Sequence, residues 1–171
     1  MSDARGPQSP ESMIRWPPKY DPSRTSVHVT NSIDIGAPPD RVWAWLIDAV
    51  RWPDWYPNAS DVRLQGASRV LGPDVPFRWK TFGVHLSSKV EEFVPPERLA
   101  WSARAAGIDV YHAWLISATP SGSHVLTEES QLGWAARLSH SLRPSRMHEG
   151  HQQWLENLRQ RAVSGPPQGT D

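Results

Sequence analysis

The sequence predicts an α+β domain: one strand, a short helical pair, six further strands and a long closing helix. Three observations carry that prediction. Near the start, "SVHVTNSIDI" alternates, with Val27, Val29, Ile33 and Ile35 on one face, and His28, Thr30, Ser32 and Asp34 on the other. From Ser60 to Trp134 the chain is a series of short alternating segments separated by Pro and Gly turns. Near the end, Met147, His151, Trp154, Leu155, Leu158 and Ala162 fall on one stripe of a long helix. Period-two alternation marks a half-buried strand, and a stripe at i, i+3, i+4 and i+7 marks an amphipathic helix.

The elements follow in order. "GAPPD" breaks the first strand; Pro38 and Pro39 suit a first helical turn and Asp40 its positive end. In "DRVWAWLIDAV", Val42, Leu46 and Ala49 share a stripe, with Trp43, Ile47 and Val50 beside it. Pro53 ends that helix or opens a second short one at "PDWY". The strands that follow are "SDVRLQG", "VPFRWKTF", "VHLSSKVEEFV", "RLAWSARA", "DVYHAWLISA" and "HVLTEESQLGW". Short turns between successive strands favour an antiparallel meander. Pro144 and Ser145 open the closing helix.

Composition excludes several function classes. The chain has 171 residues, enough for one domain with a real core. Eighteen basic and 18 acidic side chains balance to zero, which argues against a nucleic-acid surface. There is no cysteine, so disulfides and thiolate metal sites are excluded. No apolar run approaches the roughly 20 residues that span a bilayer, so no stable membrane insertion is expected. The N-terminus lacks the apolar segment of a signal peptide, and a cytoplasmic address follows by elimination. Residues 1–25 are rich in Pro, Ser, Arg and Asp and are expected to be flexible, apart from Trp16 and Tyr20, which can dock. Residues 26–163 form the domain, and residues 164–171 are a flexible tail. Nothing in the sequence fixes the oligomeric state. Ten tryptophans and 17 prolines are the unusual counts, and tryptophan is favoured where a pocket or an interface is shaped.

Four segments carry a resemblance: "IDIGAPPDRVWAWLIDAVRWPDWYP", "KVEEFVPPERLAW", "YHAWLISATPSGSHVLTEES" and "QQWLENLRQRA". Together they resemble the START-related superfamily, also called SRPBCC, and its polyketide cyclase/dehydrase-like members. The resemblance covers about Ser26 to Ala162, and no segment is a catalytic signature. It implies the helix-grip fold, a curved seven-stranded antiparallel sheet wrapped around a long C-terminal helix, with the short helical pair after strand 1. It also implies a hydrophobic cavity between sheet and helix for a lipid, a polyketide or another apolar molecule.

A sheet with one apolar face needs a cover, and here one long helix and a short helical pair supply it. Volume left between sheet and helix is where a small molecule binds. The expected lining is Phe77, Trp79, Leu86, Leu99, Trp101, Trp114, Leu126 and Trp154, with His151 on the helix stripe. Trp55 anchors the "WPDWYP" connection and Tyr56 reaches toward the cavity mouth. The alternative is that the tryptophans fill a solid core.

The candidate catalytic residues are His112, Glu128 and Tyr111. If Trp114 and Ile116 point inward, so does His112, and Tyr111 points out; both faces of that strand are apolar, so the register stays open. Leu126 and Leu132 suggest the inward face of the last strand, which then carries Glu128 and Ser130. A His and a Glu facing one cavity can orient a ligand hydroxyl or carbonyl, or move protons. "HEGH", His148 to His151, has the wrong spacing for a zinc protease helix, so neither a metal nor a cofactor is expected. Three readings follow: a carrier of an apolar or amphipathic molecule, a cyclase or dehydratase acting on a polyketide-like substrate, and a protein-interaction module with a filled core.

Overall fold

The computed structural model describes residues 13–168. Within them the chain is a helix-grip domain. Strands β1 (Val27–Ile35), β2 (Ala59–Leu64), β3 (Pro76–Thr81), β4 (Val84–Val94), β5 (Arg98–Ala105), β6 (Ile108–Thr119) and β7 (Gly122–Leu132) form one sheet. Helices α1 (Pro39–Ile47) and α2 (Trp52–Trp55) follow β1, and α3 (Trp134–Leu142) and α4 (Arg146–Ser164) close the chain. The strand order is β1-β7-β6-β5-β4-β3-β2, antiparallel throughout. From β2 to β7 it is a meander, and β1 returns to the far edge beside β7. Helix α3 is absent from the sequence-based element order.

The antiparallel pairing puts directly opposed residues on one face. Val29, Glu129, His112, Trp101 and Val90 therefore form one row across β1, β7, β6, β5 and β4. Asn31, Thr127, Trp114 and Leu99 form the next row. Helix α4 lies over this inner face. Asn31 Nδ2 donates to His148 O and to Gln152 Oε1, both at 3.1 Å, which ties α4 to β1.

Most of the tryptophans are core. Trp52, Trp101, Trp114 and Trp154 are almost completely buried. The Trp154 ring stacks on Tyr56 at 4.4 Å and meets Trp114 edge-on at 5.0 Å and Trp52 at 5.2 Å. Trp52 donates its indole N–H to Leu46 O at 3.0 Å, which fixes α2 against the end of α1. The "WPDWYP" segment thus completes a solid packing at the α1–α2 end of the sheet.

The outer face carries a second, smaller cluster. Residues 13–25 run across it through two short 3-10 turns, Pro18–Tyr20 and Pro22–Arg24. Tyr20 stacks on Tyr111 at 5.3 Å, and Trp16 packs on Tyr111 at 5.8 Å and on His28 at 5.5 Å. Tyr20 Oη donates to Asp109 at 2.6 Å, and Lys19 pairs with the same carboxylate. At the other end of the domain Trp45 Nε1 donates to Gly165 O at 2.7 Å, and Arg51 donates to Gln168 O at 2.9 Å. The flexibility expected of residues 1–12 and 169–171 lies outside the described residues. Among the described residues, no helix is long and apolar enough to cross a membrane.

The inward face of β7 differs from the expectation. Val125, Thr127 and Glu129 are its buried, inward positions, whereas Leu126, Glu128 and Ser130 belong to the outer face. The outer face is itself partly covered, so leucine burial does not mark the cavity side. Glu128 lies 3.5 Å from His28 Nε2, and Ser130 is buried beneath His28 and Thr25.

Two outcomes follow from this packing. Trp154→Ala removes the ring on which the α2 end and the sheet converge, and is expected to lower unfolding free energy in urea by about 3–5 kcal/mol. Tyr20→Phe removes a hydrogen bond to a carboxylate, expected to cost about 1.5–3 kcal/mol at neutral pH. Burial alone raises the Asp109 pKa, but hydrogen bonds from Lys19 and Tyr20 outweigh it and hold the group below its ordinary value. That stabilisation is present above the unfolded carboxylate pKa, about 3.9, and is lost as pH falls through the folded value. The stability gap between wild type and Tyr20→Phe should therefore narrow between pH 7 and pH 3, as read by denaturant melts at each pH.

Candidate functional site

One end of the interface between sheet and α4 is hollow. A cavity of about 250 Å³ lies there, roofed by α3 and the first turns of α4. Trp79, Leu86, Trp101 and Trp154 form its apolar floor and side, and His112, Glu129 and His151 its polar end. Ala135, Ala136 and Ser139 of α3 close one wall, with Arg143 and Arg146 beyond them.

Local geometry explains why α3 sits there. Gly133 has φ 108°, and a side chain on it would run into Gly107 O; a side chain on Gly107, φ 72°, would strike the Trp134 indole. Two glycines thus let the start of α3 rest on the β5–β6 turn, where Ala135 N donates to Gly107 O at 3.1 Å. On the opposite wall, Phe82 and Gly83 make the two-residue β3–β4 turn with φ 49° and 83°, as a type I′ hairpin requires. The Phe82 ring packs where a side chain on Gly150 would be, and Arg146 lies 5.5 Å over that ring.

The polar end is a buried cluster. His112 and Glu129 oppose each other across β6 and β7, and His151 comes down from α4. His112 Nδ1 lies 3.0 Å from Glu129 Oε2, and His151 Nε2 lies 3.4 Å from the same oxygen. The two imidazoles stack at 4.7 Å. Gln131 Nε2 donates to the other carboxylate oxygen at 2.5 Å. His112 Nε2 lies 2.8 Å from Thr127 Oγ1, which donates to Ala113 O at 3.2 Å. Among the described residues, His151 Nδ1 is buried without a hydrogen-bond partner.

The electrostatics are opposed. Burial pushes the Glu129 carboxyl up, but the two imidazoles outweigh burial and hold it well below the usual range. Burial pushes His112 down, and the Glu129 charge only partly restores it. The His112 ring is completely enclosed, where a charge loses its hydration, so His112 resists the proton.

The candidates chosen from sequence divide into three groups. His112, Trp79, Leu86, Trp101, His151 and Trp154 line the cavity. Phe77, Leu99, Trp114, Trp55 and Tyr56 are buried in the core and do not line it. Tyr111, Glu128 and Leu126 are on the outer face of the sheet, so neither Tyr111 nor Glu128 faces the cavity. Glu129 takes the place expected of Glu128. Missed as well were Gln131, Phe82 and the whole α3 wall. The pair Thr127 and Glu129 shares a period of two with Val125, and that was the signal for the face.

The chain matches the family described as polyketide cyclase / dehydrase and lipid transport over residues 26–163. No curated protein sequence matches it significantly. Among solved structures, the hypothetical protein jhp0584 from Helicobacter pylori is 33% identical with a TM-score of 0.82, over 88% of this chain and 96% of that one. TTHA0849 from Thermus thermophilus is 16% identical with a TM-score of 0.66, over 81% of this chain and 98% of that one. The di-domain ARO/CYC BexL from the BE-7585A biosynthetic pathway is 18% identical with a TM-score of 0.65; the match covers 82% of this chain and 51% of the di-domain protein. The last two likenesses concern the fold alone, whereas the match over residues 26–163 spans the whole sheet and both closing helices: the chain belongs to the polyketide cyclase / dehydrase and lipid transport family.

Proposed function

We propose that this protein binds a compact amphipathic small molecule in the cavity beneath α3, with its apolar body on the tryptophans and its polar group at Glu129, His112 and His151. The observation that carries this reading is a hollow floored by Trp79, Leu86, Trp101 and Trp154, with three buried ionisable side chains, His112, Glu129 and His151, together at one end. That is the layout of a small-molecule site, where apolar walls supply affinity and a few polar groups fix orientation.

Size narrows the ligand. An apolar cavity of about 150 Å³ holds benzene, so about 250 Å³ suits a body on the order of two fused rings or a short chain. A diacyl lipid or an extended polycyclic product would need the tryptophan floor to repack or α3 to move.

Two other readings weigh less. An interaction module would pair a filled interior with an exposed apolar patch. The patch exists on α3, where Trp134, Leu138 and Leu142 are exposed, but the interior beneath it is not filled. Cyclase- or dehydratase-type turnover is favoured by one observation, the three ionisable side chains buried at the end of the cavity, since a passive carrier needs only a dry pocket. Both carrier and enzyme require occupancy of the same hollow.

Occupancy is testable with 2-naphthol as probe, a two-ring molecule with one hydroxyl. Binding should quench part of the tryptophan fluorescence with saturation at one equivalent. Ala136→Trp, which fills the hollow from the α3 side, should weaken that binding by at least about tenfold, equivalent to about 1.4 kcal/mol, with the circular dichroism spectrum unchanged. Unaltered binding in the filled variant would place the probe elsewhere and remove the proposal. Native mass spectrometry of the purified protein then identifies any retained mass.

A further inference from the structure

The side chains at the closed end of the cavity have more electron pairs than protons to share. His112 Nδ1 and His151 Nε2 both aim at a single oxygen, Glu129 Oε2, at 3.0 and 3.4 Å. Thr127 has one hydroxyl proton, and Ala113 O accepts it at 3.2 Å. With the hydroxyl proton donated to Ala113 O, His112 Nε2 is the nitrogen that donates to Thr127 Oγ1, 2.8 Å away. A neutral His112 so arranged presents a bare lone pair at Nδ1, directed at a carboxylate oxygen. Two lone pairs at that distance repel unless a positive centre lies between them.

The buried carboxylate makes the same demand. Glu129 is 8% exposed, and among the described residues its ion-pair contacts are the two imidazoles alone, with no lysine or arginine. A divalent ion held among the carboxylate and the two imidazole nitrogens supplies a balancing positive charge at this spot.

We propose that His112 Nδ1, His151 Nε2 and a Glu129 carboxylate oxygen bind one divalent transition-metal ion of the zinc type, with its remaining position open to the cavity.

The donor set fits. Zinc takes imidazole nitrogen at about 2.0–2.1 Å and carboxylate oxygen at about 2.0–2.2 Å, which sets neighbouring ligand atoms of a tetrahedral site about 3.3 Å apart. Here each imidazole nitrogen is 3.0 or 3.4 Å from the carboxylate oxygen, and the three ligand atoms lie within 4.8 Å of one another. Modest rotation of the imidazoles toward the ion closes the wider gap. The supporting bonds are those a metal site uses: Thr127 holds the far nitrogen of His112, and Gln131 holds the far oxygen of Glu129. Two histidines and one glutamate with a fourth position left open is a catalytic rather than a closed structural arrangement. His148, the other histidine of "HEGH", takes no part; the partner of His151 is across the sheet, on β6. This inference is independent of the organic ligand, because metal binding is read with no ligand added.

The test uses the full chain, stripped with a chelator, dialysed, and titrated with Zn²⁺ and separately with Co²⁺. One equivalent should bind with submicromolar affinity, melting temperature should rise with free metal, and Co²⁺ should give an intense visible band of low-coordinate cobalt. Glu129→Gln and His151→Gln should each weaken binding by more than about 100-fold, and Thr127→Val by about tenfold, while His148→Ala binds as wild type. Because a buried variant can misfold, ¹⁵N imidazole spectra of the wild type provide a second readout: Zn²⁺ should shift His112 and His151 and leave His28, His85, His124, His140 and His148 in place. Absence of a stoichiometric site, wild-type affinity in Glu129→Gln and His151→Gln, or shifts confined to the other five histidines would each overturn the assignment.

Discussion

The spacing between α4 and the sheet depends on one side chain, Trp154. Its ring is wedged between Tyr56 on one side and the tryptophans of β3, β5 and β6 on the other. A ring of that volume holds the helix axis away from the strands, and α1 and α2 fill the space on one side of it with Trp43, Trp52 and Trp55. On the other side nothing comparable enters. The α3 residues nearest the tryptophan floor include Ala135, Ala136 and Ser139, too short to fill the space above it. The hollow is thus a consequence of large residues at one end and small ones at the other, not of a loose core. Interiors pack as densely as organic crystals, so a void of this size persists only where the sequence withholds side-chain volume.

The same wedge fixes the chemistry at the hollow's closed end. His151 is one turn before Trp154 on α4, so the anchor that sets the helix height also sets how deep the imidazole reaches. Asn31 adds a second constraint by gripping the backbone at His148. His112 and Glu129 need no such adjustment, because direct pairing of β6 with β7 places them side by side on rigid strands. A site assembled from two paired strands and one anchored helix is held more tightly than one assembled from loops.

Much of the fold was legible because its patterns were local. The alternation in β1, the turns of the meander and the stripe of α4 each speak within a dozen residues. Helix α3 was not legible, for a physical reason. Its large apolar residues, Trp134, Leu138 and Leu142, face solvent, while its buried contact is through small residues such as Ala136. The usual inference from hydrophobic spacing to a buried face fails there. The site was half legible. His112 and His151 stood out as polar residues on apolar patterns, but the choice of Glu128 over Glu129 came from reading Leu126 and Leu132 as inward. Those leucines are on a face that residues 13–25 partly cover, and no local pattern in β7 reveals a cover supplied by a segment a hundred residues away.

That outer cover also bears on function. Tyr111 and His112 are adjacent on β6, one on each side of the sheet. Tyr111 is held under Tyr20 and Trp16, while His112 is held by Thr127 and Glu129. With the outer face of β6 and β7 partly covered as well, the backbone carrying the polar cluster is partly sheltered from water on both sides of the sheet. Strands buried on both faces open only with much of the domain, whereas α3, which buries little and exposes three large apolar side chains, is bound more weakly. Local opening in this part of the domain is therefore expected in α3, while the pairing of β6 with β7 holds His112 and Glu129 in place.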